Sequence, residues 1–225
     1  DLKWGTPNPI MLRDADFARK NLAAKREVSD DVERATRAIV DDVAARGDAA
    51  LLEATKKFDR LEIEAAGLRV TGAEIDAAVK ACDARTLDAL KFARDRIEAF
   101  HIRQLPKDER FTDALGVELG WRWSAVDAVG LYVPGGTAAY PSSVLMNAMP
   151  ARVAGVPRVV MVVPSPDGKL NPLVLAAAQL GGVSEIYRVG GAQAVAALAY
   201  GTATIKPVAK IVGPGNAYVA AAKRL

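Results

Sequence analysis

The chain has 225 residues, 51% of them hydrophobic and 25% charged, with a formal net charge of +3. A polypeptide of this size buries roughly 70% of the surface its unfolded form exposes, enough for one or two domains. The small basic excess gives no footing for a nucleic-acid binder, the single cysteine, Cys82, excludes an internal disulfide, and no apolar run reaches the ~20 residues of a membrane span. With no apolar signal region at the N-terminus either, a soluble cytoplasmic protein is expected.

The first hundred residues read as helical. Val32, Ala35, Ile39 and Val43 recur at spacings of three and four behind Ser29-Asp30-Asp31, which offer a cap and dipole-compatible carboxylates; Gly47 is expected to end that helix. Thr71-Gly72-Ala73-Glu74 has the form of a capping box ahead of Ile75, Ala78 and Val79. Over 84–102, Leu87, Leu90, Ala93, Ile97 and Phe100 make one apolar stripe, and the polar stretch around Pro106 stops the helix. Val117, Leu119, Trp121 and Trp123 then alternate with Glu118, Gly120, Arg122 and Ser124, the period of a half-buried strand in a hairpin or in a bridge between two domains.

From residue 128 the rhythm changes. Strands are expected at 128–133, 158–163, 184–189 and 208–212, alternating with helices at about 141–154, 171–180, 192–200 and from 217 onward. Alternation with short connections predicts a parallel sheet wound by right-handed crossovers, which binds its ligands beyond the carboxyl ends of the strands. Charge follows the same division. Residues 1–128 hold 22 basic and 25 acidic residues, whereas residues 129–225 hold 8 and 2, a net of +6, together with 12 of the 18 glycines. A buried sheet beside an anion-favouring site has that composition, and so does a small, tightly packed domain.

Three apolar runs stop on glycine: Val129-Gly130-Leu131-Tyr132-Val133-Pro134-Gly135-Gly136, Ile186-Tyr187-Arg188-Val189-Gly190-Gly191, and Ala209-Lys210-Ile211-Val212-Gly213-Pro214-Gly215-Asn216. Glycine permits positive φ and close backbone approach, and a following helix offers unpaired N–H groups at the positive end of its dipole. No G-x-G-x-x-G, no Walker A sequence and no acidic residue about twenty positions after Gly136 is present. The glycines alone therefore fit a nucleotide-like ligand or simply tight strand ends.

The same segments, with Thr137-Ala138-Ala139-Tyr140-Pro141-Ser142-Ser143-Val144-Leu145-Met146 between them and Gln193-Ala194 after the second, closely resemble the histidinol dehydrogenase family. That resemblance implies an α/β fold of aldehyde-dehydrogenase-like architecture: residues 1–128 as a helical N-terminal region and part of a first, incomplete α/β domain, and residues 129–225 as a nearly complete Rossmann-like cofactor-binding domain. It implies oxidation of L-histidinol through the aldehyde to L-histidine, the last steps of histidine biosynthesis, with reduction of two NAD, zinc assistance and a homodimer. The family's NAD contacts fall on Tyr132, Gln193 and Asn216, where a phenol can stack and donate, an amide can donate and accept, and an asparagine can bind ligand or cap a helix.

Neither metal ligands nor catalytic residues are expected in this chain. The family's zinc ligands and its proton-handling glutamate and histidine lie beyond the GPGN motif, and the sequence runs to Leu225. The expectation is an N-terminal portion of the enzyme that is inactive by itself. His101, on a helix, and Cys82, in Ala81-Cys82-Asp83, lack metal-ligand spacing; His101 reads as a solvated or packed helix residue and Cys82 as a small core residue, not a nucleophile. Two rivals are a different NAD(P)-dependent alcohol or aldehyde dehydrogenase, which a reactive cysteine would favour, and a non-catalytic nucleotide-binding or assembly module.

Overall fold

The computed structural model describes residues 15–135 and 140–225, with side chains from Asp30 onward. Helix α1 (Ala15–Arg46) runs straight through Ser29-Asp30-Asp31. The expected start is thus overturned: 15–28 are rich in Ala, Lys and Arg with no Gly or Pro, so good helix formers carry the helix past the capping residues. Asp31 pairs instead with Arg34, one turn on, at 3.2 Å. Gly47, at φ 58°, ends α1 and opens α2 (Asp48–Asp59), and Arg46 ties the two by reaching both Asp42 and Glu53. A short helix α3 (Ala65–Leu68) precedes α4 (Gly72–Ala81), which begins on the expected Thr71–Glu74 capping box, and α5 (Ala84–Ile102) has the predicted bounds.

Strands β1 (Glu109–Thr112) and β2 (Glu118–Trp121) form an antiparallel hairpin. The alternation over 117–123 is real, but the half-buried strand expected from it is not found. Val117, Leu119, Trp121 and Trp123 are all exposed, because among the described residues the two strands pack chiefly on each other and no other element covers the ribbon extensively.

The second sheet is parallel, in the order β5 (Glu185–Tyr187), β4 (Arg158–Val162), β3 (Ala128–Tyr132), β6 (Lys210–Val212). Helices α6 (Pro141–Val153), α7 (Pro172–Leu180), α8 (Gly191–Tyr200) and α9 (Ala217–Ala222) alternate with the strands as predicted. Both faces of the sheet are buried, as parallel sheets require. Val129, Leu131, Val159 and Met161 point into one core with Leu145, Ala148 and Leu175, while Tyr132, Val160 and Val162 point into the other with Leu51, Val43 and Leu198. N-terminal helices complete both layers. Helices α1 and α2 lie against α8, and α4 and α5 against α7 and α6.

The segment between α3 and α4 does something the helical pattern did not show. Val70 donates to the Ile186 carbonyl at 2.8 Å and Arg188 to the Leu68 carbonyl at 2.9 Å, so Leu68–Val70 runs antiparallel along β5 and covers that edge of the sheet.

Candidate functional site

The chain winds outward from β3 to β4 and β5, then returns to place β6 on the other side of β3. The switch point is therefore the gap between the carboxyl ends of β3 and β6, where ligands of doubly wound sheets bind. The glycine segments converge there. Gly213 has φ 111°, and an added Cβ would strike the Tyr132 carbonyl, so the loop after β6 lies against the end of β3. Gly191 has φ 65°. Gly135 and Gly190 are needed for closeness rather than conformation: a Cβ at either would come within 2.5 Å of Pro164, in the loop after β4. Gly136 and 137–139 lie outside the described residues.

Tyr132 and Gln193 meet at Gly191. The Tyr132 hydroxyl accepts a hydrogen bond from the Gly191 N–H at 3.0 Å, and its ring is buried at 3% exposure. Burial pushes the phenol pKa up. The expected stacking face is thus inside the core: packing of α2 and α8 against the sheet leaves the ring no open side, and its polar end fixes a glycine loop. Gln193, in the first turn of α8, is 1% exposed, so an exposed first-turn position is excluded. Its Oε1 lies against Gly191, close enough that a Cβ there would sit 2.5 Å away, and its amide makes no hydrogen bond among the described residues. Helix α8 has no side-chain cap, which leaves N–H groups of its first turn available to an anion. Asn216 is exposed and caps α9, its Oδ1 accepting from Val219 N–H at 3.1 Å, with its amide nitrogen left over. It stands on the β6 side of the gap, while Tyr132 and Gln193 stand on the β3–β5 side.

A further group at this edge gave no signal in the sequence. Arg60, immediately after α2, holds Asp167 at 2.8 and 2.9 Å and ties the end of α2 to the 3₁₀ turn Pro166–Gly168 that follows β4. Beside it Asp59 is buried, and burial raises its carboxyl pKa. The pair is 107 residues apart in the chain, so no local pattern announces it.

The described residues do not fit a metal. No cluster of three or more His, Cys, Asp or Glu side chains exists among them. His101 gives its Nδ1–H to Gln104 Oε1 at 2.6 Å and packs edge-on against Phe100. Cys82 Sγ donates to the Ala78 carbonyl, and burial together with the Asp83 charge pushes the thiol up, away from nucleophilic thiolate. No helix of the described residues is long and apolar enough to cross a membrane.

Parallel strands in this order, with helices on both faces and glycine loops at their carboxyl ends, define a doubly wound α/β protein. Residues 22–225 match the family model described as histidinol dehydrogenase. The chain is 79% identical over 222 residues to histidinol dehydrogenase of Rhodopseudomonas palustris, covering 96% of this chain and 52% of that protein. It is 84% identical over 204 residues to that of Bradyrhizobium diazoefficiens, covering 91% and 47%. The crystal structure of histidinol dehydrogenase from Elizabethkingia anophelis superposes with a TM-score of 0.82 at 35% identity, over 86% of this chain and 44% of that one. The chain belongs to the histidinol dehydrogenase family, and it spans about half the length of the curated relatives it matches.

Proposed function

We propose that a protein carrying this chain oxidises L-histidinol through the aldehyde to L-histidine, the closing steps of histidine biosynthesis, and that this chain supplies its NAD site. The observation behind it is the convergence at one switch point of Gly191 and Gly213 in left-handed backbone, Gln193 lying against Gly191, and the uncapped first turn of α8. NAD, when bound, supplies the hydride acceptor. The chain's own contribution is binding and orientation. Close-packed glycines let the backbone approach a pyrophosphate, α8 offers N–H groups and its dipole, Gln193 fixes a polar group of the cofactor, and Asn216 does so from the β6 side. Tyr132 acts from beneath by holding the Gly190–Gly191 loop.

Zinc and the acid–base groups of the reaction are assigned to residues outside this chain, since nothing described here fits them. The aldehyde-dehydrogenase-like arrangement, with residues 1–128 contributing helices and part of a first α/β domain and residues 129–225 the Rossmann-like cofactor domain, belongs to the same proposal. So do a cytoplasmic location and a homodimer.

The test is NADH formation from L-histidinol by a full-length protein carrying this chain, with NAD titrated against wild type and Gln193→Ala. We expect turnover in the wild type and a weaker apparent NAD affinity in the variant, by on the order of 1 kcal/mol or more for a lost polar contact. Wild-type NAD affinity in Gln193→Ala would remove that residue from the site, and no histidinol-dependent NADH would overturn the activity.

A further inference from the structure

Arg60 and Asp167 are the two non-glycine residues in left-handed backbone among the described residues, at φ 53° and 55°, and they are paired with each other. Arg60 stands directly after α2, and Asp167 stands in the turn Pro166–Gly168 that follows β4. The guanidinium meets both carboxylate oxygens, at 2.8 and 2.9 Å, and beside it Leu61 Cδ1 lies 3.3 Å from the place of a Gly168 Cβ. Stability does not account for this arrangement. The two side chains are 67% and 53% exposed, so water and salt weaken their attraction, while left-handed backbone carries a steric cost at any residue with a Cβ. Glycine at either position would remove that cost. Strain of this kind persists where the surroundings impose it, and it gathers at ligand clamps.

What the pair holds is the loop after β4. The Gly168 N–H donates to the Ser165 carbonyl at 2.9 Å, which closes the turn, and the residue before Ser165 is Pro164. Pro164 is wedged between two glycine loops: its carbonyl oxygen lies 2.5 Å from the place of a Gly135 Cβ, and its ring 2.5 Å from that of a Gly190 Cβ. Gly190 in turn leads directly into α8 and Gln193. We propose that Arg60 and Asp167 are positioning residues of the cofactor crevice: their ion pair clasps the turn after β4 to the end of α2, so that Pro164 holds the loops after β3 and β5 at the separation a dinucleotide requires. Every step from the pair to the glycines is a direct contact or a short run of chain. The proposal rests on the reading of this crevice as the NAD site. Because the pair is open to water, the clasp loosens as ionic strength rises.

The experiment compares wild type, Arg60→Gly, Asp167→Gly and the double variant in the full-length protein, with Gln193→Ala as the control for the site. NAD affinity is read by titration at low and high salt, stability by urea unfolding, and the loops by amide hydrogen exchange without NAD. We expect each single variant to weaken NAD binding roughly three- to tenfold at low salt, and the double variant to be no weaker than the worse single one, because both break one clasp. High salt should bring the wild type down toward the variants, whose own affinity moves less. The variants should be no less stable than wild type, since glycine relieves the left-handed backbone, while the amides of Ser165, Gly168, Gly190 and Gly191 exchange faster. Wild-type NAD affinity in the variants, additive losses, or a wild-type salt response no steeper than theirs would reduce the two residues to a surface ion pair and overturn the proposal. If the wild type binds no NAD, or Gln193→Ala leaves affinity unchanged, the cofactor reading fails and the cofactor role of the clasp falls with it; amide exchange then decides the mechanical link, and unchanged protection at Gly190 and Gly191 sinks that as well.

Discussion

Gly213 accepts no side chain. With φ at 111° and the Tyr132 carbonyl in the place of a Cβ, Gly213→Ala combines backbone strain with a clash against main chain that cannot swing aside. A loss of about 2–3 kcal/mol is expected, read as a lower urea midpoint. Gly72 is the contrast. It opens α4 with nothing within 4 Å of its missing Cβ and no positive φ, so Gly72→Ala should be neutral or gain about 0.5 kcal/mol in the same assay by restricting the unfolded chain. Of the residues taken from the family pattern, Gln193 and Tyr132 are buried and meet at Gly191, and Asn216 caps a helix. Their places in the chain were legible in the motifs. That Tyr132 turns its ring inward was not, because the same apolar run fits a residue on either face of the sheet until α2 and α8 are seen to cover one.

Helices and strands from residue 128 onward follow the sequence closely because most carry their own punctuation: glycine after β3, β5 and β6, and Pro141 and Pro172 in the first turns of α6 and α7. The hairpin shows the limit of periodicity, which marks a face as apolar without saying what covers it. The amino edge of the sheet has its own device. Arg158 on β4 pairs with Glu185 on β5 at 2.7 Å and donates to the Pro207 and Lys206 carbonyls ahead of β6. The Arg158 guanidinium, against the opposing pull of burial and with help from the Tyr187 hydroxyl, holds the Glu185 carboxyl below its usual value of 4.5. A depressed folded-state pKa contributes stability that is complete above the unfolded value and is lost as pH falls through the folded one. Glu185→Gln should therefore lose about 2 kcal/mol at pH 7, and the gap to wild type in urea unfolding should close as pH drops below that value. A constant gap down to pH 3 would show that the pair does not set it.

Across the whole molecule, the helices of the first 128 residues close both faces of a sheet built by the remainder, and Leu68–Val70 seals the β5 edge. The chain nevertheless holds one histidine and one cysteine, and both are engaged in local hydrogen bonds. Alcohol oxidation by NAD needs a base and, in the proposed reaction, a Lewis acid, each typically worth orders of magnitude in rate. Residues 1–225 purified alone and supplied with histidinol, NAD and zinc are expected to form no NADH above background. Turnover would force His101, Cys82 or a carboxylate into a catalytic role that their surroundings argue against.

By itself the sequence determined the alternation of strands and helices, the parallel sheet, the glycine-ended strands and the family, because these depend on residue type and spacing over a few tens of positions. Only the tertiary structure decided that the hairpin bears exposed aromatics, that Leu68–Val70 joins the sheet, and that Asp59 lies buried at the end of α2. Each of these is a contact, or the lack of one, between segments far apart in the chain, and burial at such a point is fixed by what the fold lays over it.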